Sequence, residues 1–203
     1  MSSAEYYNSV GEKVRKNKIE DYLKIVGILF TAATLFFSGK TYQAAQKWKV
    51  AEFTSQKYKE FSENRSVRLV NEMLDYNTRA VTLFDNDSLQ ALSDDAVFAS
   101  LVVDSINGEF SKTETKIRDV FDEYFEQLST FNRYAKTELI SYEEIKPYLI
   151  YQVSIICDRN NPRKTSEYRK RIWDYIRYYG YTDVKELYKK FGYDIDSAFL
   201  KQQ

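Results

Sequence analysis

The sequence predicts an all-α protein in which one N-terminal transmembrane helix continues into a stalk and a helical bundle. Three observations carry this. The run Ile25 to Gly39 holds no charge and lies between Lys24 and Lys40. Downstream, Ile117, Phe121, Tyr124, Leu128, Phe131 and Ala135 recur at 4-3-4-3-4, the spacing of one helix face. A capping box, Ser141 with Glu144, then opens a second strongly apolar segment.

The elements follow in order. Residues 1–21 form a polar tail, residues 22–42 the transmembrane helix, and residues 43–203 an all-α soluble bundle. The uncharged stretch of 15 residues spans only about 22 Å as a helix, but Tyr22 to Tyr42 spans about 31 Å if both lysines snorkel outward. That length fits a hydrocarbon core of about 30 Å, with a tyrosine at each interface. Eight strong apolar side chains contribute about −2 to −5 kcal/mol to insertion. A cleaved signal is disfavoured, because Phe37 and Gln43 stand where small residues belong at the −3 positions. A buried core helix would also match the short apolar length.

Helical patterning runs on from Lys40 to about Ser62, with Trp48, Ala51, Tyr58 and Phe61 on one face, and breaks near Asn64. Val67, Val70 and Leu74 mark the next helix. Arg79 to Phe84 leans towards β, and Asp85 to Ser88 reads as a turn. Ser93 caps a short helix through Val103, and Asn107-Gly108 breaks the chain. Lys112 to Lys136 is the strongest helix. The segment Tyr148 to Cys157 is apolar nearly all round and so reads as the buried centre, with Pro147 a potential kink. Thr165 or Ser166 starts a helix stopped by Gly180, and Thr182 to Phe191 forms another ending at Gly192.

Composition excludes much of familiar enzymology. The 203 residues contain no His and one Cys, so Ser-His, Cys-His and His-metal chemistry and an internal disulfide framework are out of reach of a single chain. No Gly-rich phosphate loop occurs among the 6 glycines. The expectation is a non-enzyme with no cofactor, no metal and no small-molecule substrate. Asp119, Asp122, Glu123 and Glu126 crowd one helix, but they lie off the apolar stripe and read as a solvated face. Thr137 to Glu144 looks like the end of a calcium loop, yet Asn132, Arg133 and Lys136 stand where ligands should precede it.

Two features suggest partners. Gly27, Thr31, Thr34, Ser38, Thr41 and Ala45 form a stripe of small and hydroxyl residues, the kind that lets transmembrane helices approach and hydrogen-bond across. Self-association is one reading, a lone anchor another, and a hydroxyl-lined pore a third. Charge is also segregated, although Lys+Arg and Asp+Glu both number 30. Residues 85–144 carry 14 acidic and 5 basic side chains, and residues 159–190 carry 10 basic and 4 acidic. The basic part, with Arg159, Arg163, Lys164, Arg169, Lys170, Arg171 and Arg177 among aromatics, is a candidate surface for RNA or anionic lipid. Alternatively it docks on the acidic middle of the same or a neighbouring subunit.

Orientation is nearly balanced, with four basic residues before the helix and five shortly after it. The lone Cys157 and the lack of a signal favour the inner membrane with the soluble part cytoplasmic. The tripeptides at Asn64 and Asn86 fit the glycosylation pattern, which arises easily by chance.

The order of parts, with Trp48-Lys49-Val50-Ala51-Glu52-Phe53, Met73-Leu74-Asp75-Tyr76 and Ile117 to Phe125 paired with Tyr142 to Tyr148, resembles small single-pass bacterial membrane proteins catalogued as domains of unknown function. That resemblance covers roughly residues 22–157 and implies architecture only. The chain is also similar to the accessory membrane proteins of type VI CRISPR systems, single-anchor helical proteins that assemble into pores and carry an RNase-like Arg-x4–6-His motif. Arg159 is placed near the end of the apolar helix, but no His follows it. The resemblance therefore implies a pore or scaffold role without the nuclease. The expected function is a membrane-anchored, non-enzymatic assembly module that pairs with itself. The alternatives are a permeability subunit, with phage defence as one setting, and a binder of RNA or anionic lipid.

Overall fold

The computed structural model describes residues 3–84, 89–103 and 109–200, with side chains described over 22–84, 89–103 and 109–197. The expected turn at Asp85 to Ser88 and break at Asn107-Gly108 lie outside the described residues. The fold is all-α with one small hairpin. In order, the elements are α1 (Ser3–Glu63), α2 (Arg65–Asp75), β1 (Thr78–Val81), β2 (Gln90–Ser93), α3 (Asp94–Ser100), α4 (Lys112–Lys136), α5 (Tyr142–Cys157), α6 (Ser166–Tyr178), α7 (Thr182–Lys190) and α8 (Ile195–Leu200). The chain divides into two units, Met1–Lys49 and Val50–Gln203. The polar tail is helical from Ser3.

In the second unit the central helix is α4, not α5 as the apolar count suggested. α4 packs against α2, α3 and α7, and Ile117, Phe121, Tyr124 and Leu128 are fully buried. α5 buries Ile145, Leu149, Val153, Ile155 and Ile156, but Tyr148 and Tyr151 turn outward. Tyrosine supplies apolar area while its hydroxyl seeks a polar partner, and Tyr151 finds one by donating to Asp75 Oδ1 at 2.5 Å. α5 runs through Pro147. The inward face of α1 in this unit also differs from expectation. Phe61 is buried and Phe53 and Tyr58 are partly buried, whereas Ala51 is exposed and Trp48, in the first unit, is 77% exposed. Phe61 packs edge-on against Phe131 at 5.4 Å and beside Tyr124 at 6.0 Å.

The β-leaning stretch begins at Thr78, and its partner β2 was not foreseen. The pair is antiparallel, with Thr78 opposite Ser93 and Val81 opposite Gln90. Four residues per strand carry too little pattern to register as alternation. The helix after Ser93 closes at Ser100, sooner than expected, and α8 was missed.

Caps explain the helix boundaries. Backbone N–H groups donate to the side chains of Asn64, Ser93, Ser111, Ser141 and Thr165, and complete capping boxes form at Ser111–Glu114 and Ser141–Glu144. Three helices end in one motif. After α6, Tyr181 N–H reaches Ile176 O at 3.0 Å across Gly180, whose φ is +70°; after α7, Tyr193 N–H reaches Tyr188 O at 2.9 Å across Gly192, at +101°. After α4, Leu139 N–H reaches Tyr134 O at 3.0 Å, but the left-handed residue is Glu138, at φ +57°. A side chain there costs energy that glycine avoids.

Replacing Glu138 with Gly is therefore expected to stabilise the protein by about 0.5–1 kcal/mol, the relief of strain exceeding the extra unfolded-state entropy. The unfolding midpoint should rise by about 2–3 °C, and Gly180→Ala should lower it. A fall for Glu138→Gly in a thermal melt would contradict this account of the α4 terminus.

Candidate functional site

The first unit contains the segment of α1 that is long and apolar enough to cross a membrane, near the N-terminus. All its large side chains, from Tyr22 to Tyr42, are exposed. Gly27, Thr31, Thr34, Ser38, Thr41 and Ala45 share one face by helical spacing. Much of that stripe lies in a shallow groove lined by Phe30, Ala33, Thr34, Phe37, Ser38, Thr41, Tyr42 and Ala45. Phe30 and Phe37 therefore border the stripe. The threonine hydroxyls turn back onto the helix. Thr31, Thr34 and Thr41 each donate to the carbonyl four residues earlier, Gly27, Phe30 and Phe37, at 2.9 Å. Such back-bonding leaves a small, methyl-bearing surface with its donors satisfied.

In the second unit, part of the predicted basic surface is interior. Lys164 is 5% exposed and Arg169 1%, so these two are corrections to the proposed anionic-ligand surface. The reason is the C-terminus of α5, which lacks a glycine stop. Its orphan carbonyls need donors: Arg169 Nε donates to Ile155 O at 2.8 Å and Trp173 Nε1 to Ile156 O at 2.9 Å. Arg169 also donates to Asn161 O. Lys164 Nζ donates to Tyr76 O at 2.8 Å and to Asp94 at 2.5 Å, tying the loop before α6 to the C-terminus of α2 and to α3. Burial lowers the Lys164 pKa and raises that of Asp94, so desolvation outweighs attraction on both partners. Arg163 donates to Asp75 O, Arg171 lies over the Phe98 ring, Arg177 pairs with Asp174, and Arg159 lies 6.0 Å from the Trp173 ring centre. Lys170 is exposed on α6.

The acidic cluster on α4 is engaged in structure. Asp122 Oδ1 accepts from both Tyr175 and Tyr181 hydroxyls at 2.7 Å. Burial first, and then that bond, push both phenols well up. Glu123 accepts from Asn64 and Gln127, and Glu126 pairs with Arg133. Among the described residues no group of three His, Cys, Asp or Glu is placed to hold a metal. Cys157 is a buried free thiol, its pKa pushed up by burial.

The tightest ionic cluster reverses the sequence-level polarity. The acids Asp183 and Glu186 come from the basic segment, and Arg133 and Lys136 from the acidic one. Lys136 reaches Asp183 at 2.9 Å and also Glu186, Arg133 reaches Asp183 at 3.2 Å, and Asn132 donates to both carboxylates while accepting from Tyr142.

One feature of the surface had no sequence signal. A cavity of about 530 Å³ between α2 and β1 is lined by Arg65, Arg68, Glu72 and Arg79 with Leu69, Ala80, Val81, Thr82 and Leu89. Arginines one turn apart on a short helix look like a solvated face; only the hairpin brings Arg79 alongside.

Burial alone would raise the Asp183 carboxyl, but bonds from Lys136, Asn132 and Arg133 outweigh it and hold it below 3.8; Lys136 and Asn132 hold Glu186 below 4.5. As pH falls, the unfolded chain takes up these protons first. The clamp's stabilisation is full above the ordinary carboxylate values and is lost as pH falls through the folded ones. Asp183→Asn should lower the melting temperature at pH 6 and flatten its decline between pH 5 and 3. An acid limb identical to that of the unaltered protein would remove the clamp from this account.

Searches with family models, against curated proteins and against solved structures found no match to this chain in any of the three.

Proposed function

We propose that the protein is a non-enzymatic assembly module anchored in the inner membrane of a bacterial cell by one α1 span. In this reading the second unit is cytoplasmic and copies associate through the Gly27–Ala45 face. The observation that carries the reading is the groove along that face, with small residues on its floor and Phe30, Phe37 and Tyr42 beside it. In lipid there is no hydrophobic gain from helix pairing, so association depends on close packing or interhelical hydrogen bonds. Because Thr31, Thr34 and Thr41 already satisfy their donors within α1, packing is the favoured drive. The aromatics of one copy fill the small-residue groove of another.

This separates two substitutions. Thr34→Leu with Ser38→Leu fills the groove and should reduce the oligomer in mild detergent to monomer. Thr31→Val with Thr34→Val keeps the shape, removes only the hydroxyls, and should leave the oligomer intact. Loss of assembly in the valine variant would replace packing with hydrogen bonding, and a monomeric unaltered protein would end the proposal. Dye leakage from vesicles holding the unaltered oligomer, abolished by the leucine variant, would extend the reading to a pore.

A further inference from the structure

We propose that the cleft between α2 and β1 binds a phosphate-bearing anion. Arg65 and Arg68 sit one turn apart on α2, and Arg79 comes from the facing strand, so among the described residues three guanidinium groups and one carboxylate, Glu72, line the same cavity. Its volume, about 530 Å³, lies within the range of small-molecule pockets. The frame is fixed by Arg65, whose Nη2 donates to Thr82 O at 3.0 Å and Leu83 O at 3.3 Å, tying the start of α2 to the residues just after β1.

The other two arginines are the recognition groups. Among the described residues no carboxylate pairs with Arg68, which is exposed. Arg79 meets Glu72 only at 3.7 Å, with both side chains about two-fifths exposed, while its guanidinium lies over the Tyr76 ring at 4.4 Å. Stacking on the ring leaves the edge N–H donors of Arg79 usable. Planar guanidinium forks match the oxygens of a phosphate, and one phosphate has enough oxygens to accept from two of them. Leu69, Val81 and Leu89 add apolar wall beside the charges, suited to an ester group rather than to bare ion alone. The ligand chemistry is therefore a phosphate ester or pyrophosphate, from a soluble molecule or a lipid headgroup.

The test is calorimetric titration of the full-length protein in an uncharged detergent with sodium pyrophosphate and, separately, with short-chain phosphatidic acid. Saturable binding is expected, weakened about tenfold by Arg68→Ala and strengthened by Glu72→Gln, which removes the competing carboxylate. Opposite responses of two side chains on one helix distinguish a site from a general loss of folding. Tighter binding of the phosphatidic acid, with the same response to both variants, assigns the headgroup as ligand; tighter binding of pyrophosphate assigns a soluble phosphate. Absence of saturable binding by either probe, or affinities that neither variant moves, would overturn the proposal. The outcome is independent of whether copies associate in the membrane.

Discussion

The second unit depends on the need to cover α4 on several sides at once. Its buried face is built of large side chains, Phe121, Tyr124, Phe125 and Phe131, each worth about 1.5–3 kcal/mol when removed from water. One neighbouring helix cannot enclose them. α2, α3 and α7 therefore pack around α4, and Phe61 adds a ring against Tyr124 and Phe131. The aromatic seam continues to α6 and the turn after it, where Phe125 lies 6.3 Å from Tyr175 and 5.2 Å from Tyr181. Wrapping a polar-edged helix this fully places its edge residues in dry surroundings. This is why Arg118, Asn132 and Asp122 all acquire defined partners. Arg118 is the extreme case. It is 9% exposed, donates to Ser100 O and Val102 O at 2.8 Å, and lies 4.1 Å from the Phe110 ring centre and 5.0 Å from that of Tyr175. Carbonyls and ring faces replace the water it has lost.

The same accounting explains the fate of the basic segment. A helix that ends at a glycine closes its own carbonyls, as α6 and α7 do. α5 ends at Asp158 in extended conformation instead, so its last carbonyls must be served from elsewhere. Guanidinium and indole N–H groups from α6 do so, and a cation at a helix C-terminus is favoured by the helix dipole as well. A run of arginines that looks like a ligand surface in one dimension is partly scaffolding in three.

Legibility in the sequence followed the length of the pattern. α4 was readable nearly to its ends because its apolar period is sustained over a helix of 25 residues. α5 was readable in extent but not in role, since tyrosine counts as apolar in a periodicity although its hydroxyl wants a partner. The two strands were nearly invisible because each is four residues long and their pairing is nonlocal. The cleft on α2 was invisible for the same reason, since Arg68 and Arg79 become neighbours only because β1 packs back against α2. The stripe on α1 was visible as spacing, but the direction of its hydroxyls was not, because a threonine in a helix can bond its own carbonyl four residues back or turn outward.

Charge closes the argument. The chain is neutral overall, and several cations of the second unit are paired with acids, including Lys136 with two of them and Lys164 with Asp94. Against that background the cleft stands out: among the described residues that line it are three guanidinium groups and one carboxylate. Like charges one helical turn apart are mutually unfavourable by about 0.2–0.5 kcal/mol even in solvent, and Arg79 brings a further positive charge to the same space. The core does not require them, because α2 buries Val67, Val70, Met73 and Leu74 on its other face. Arg68 and Arg79 share that cleft, and an anion seated between them relieves their repulsion directly.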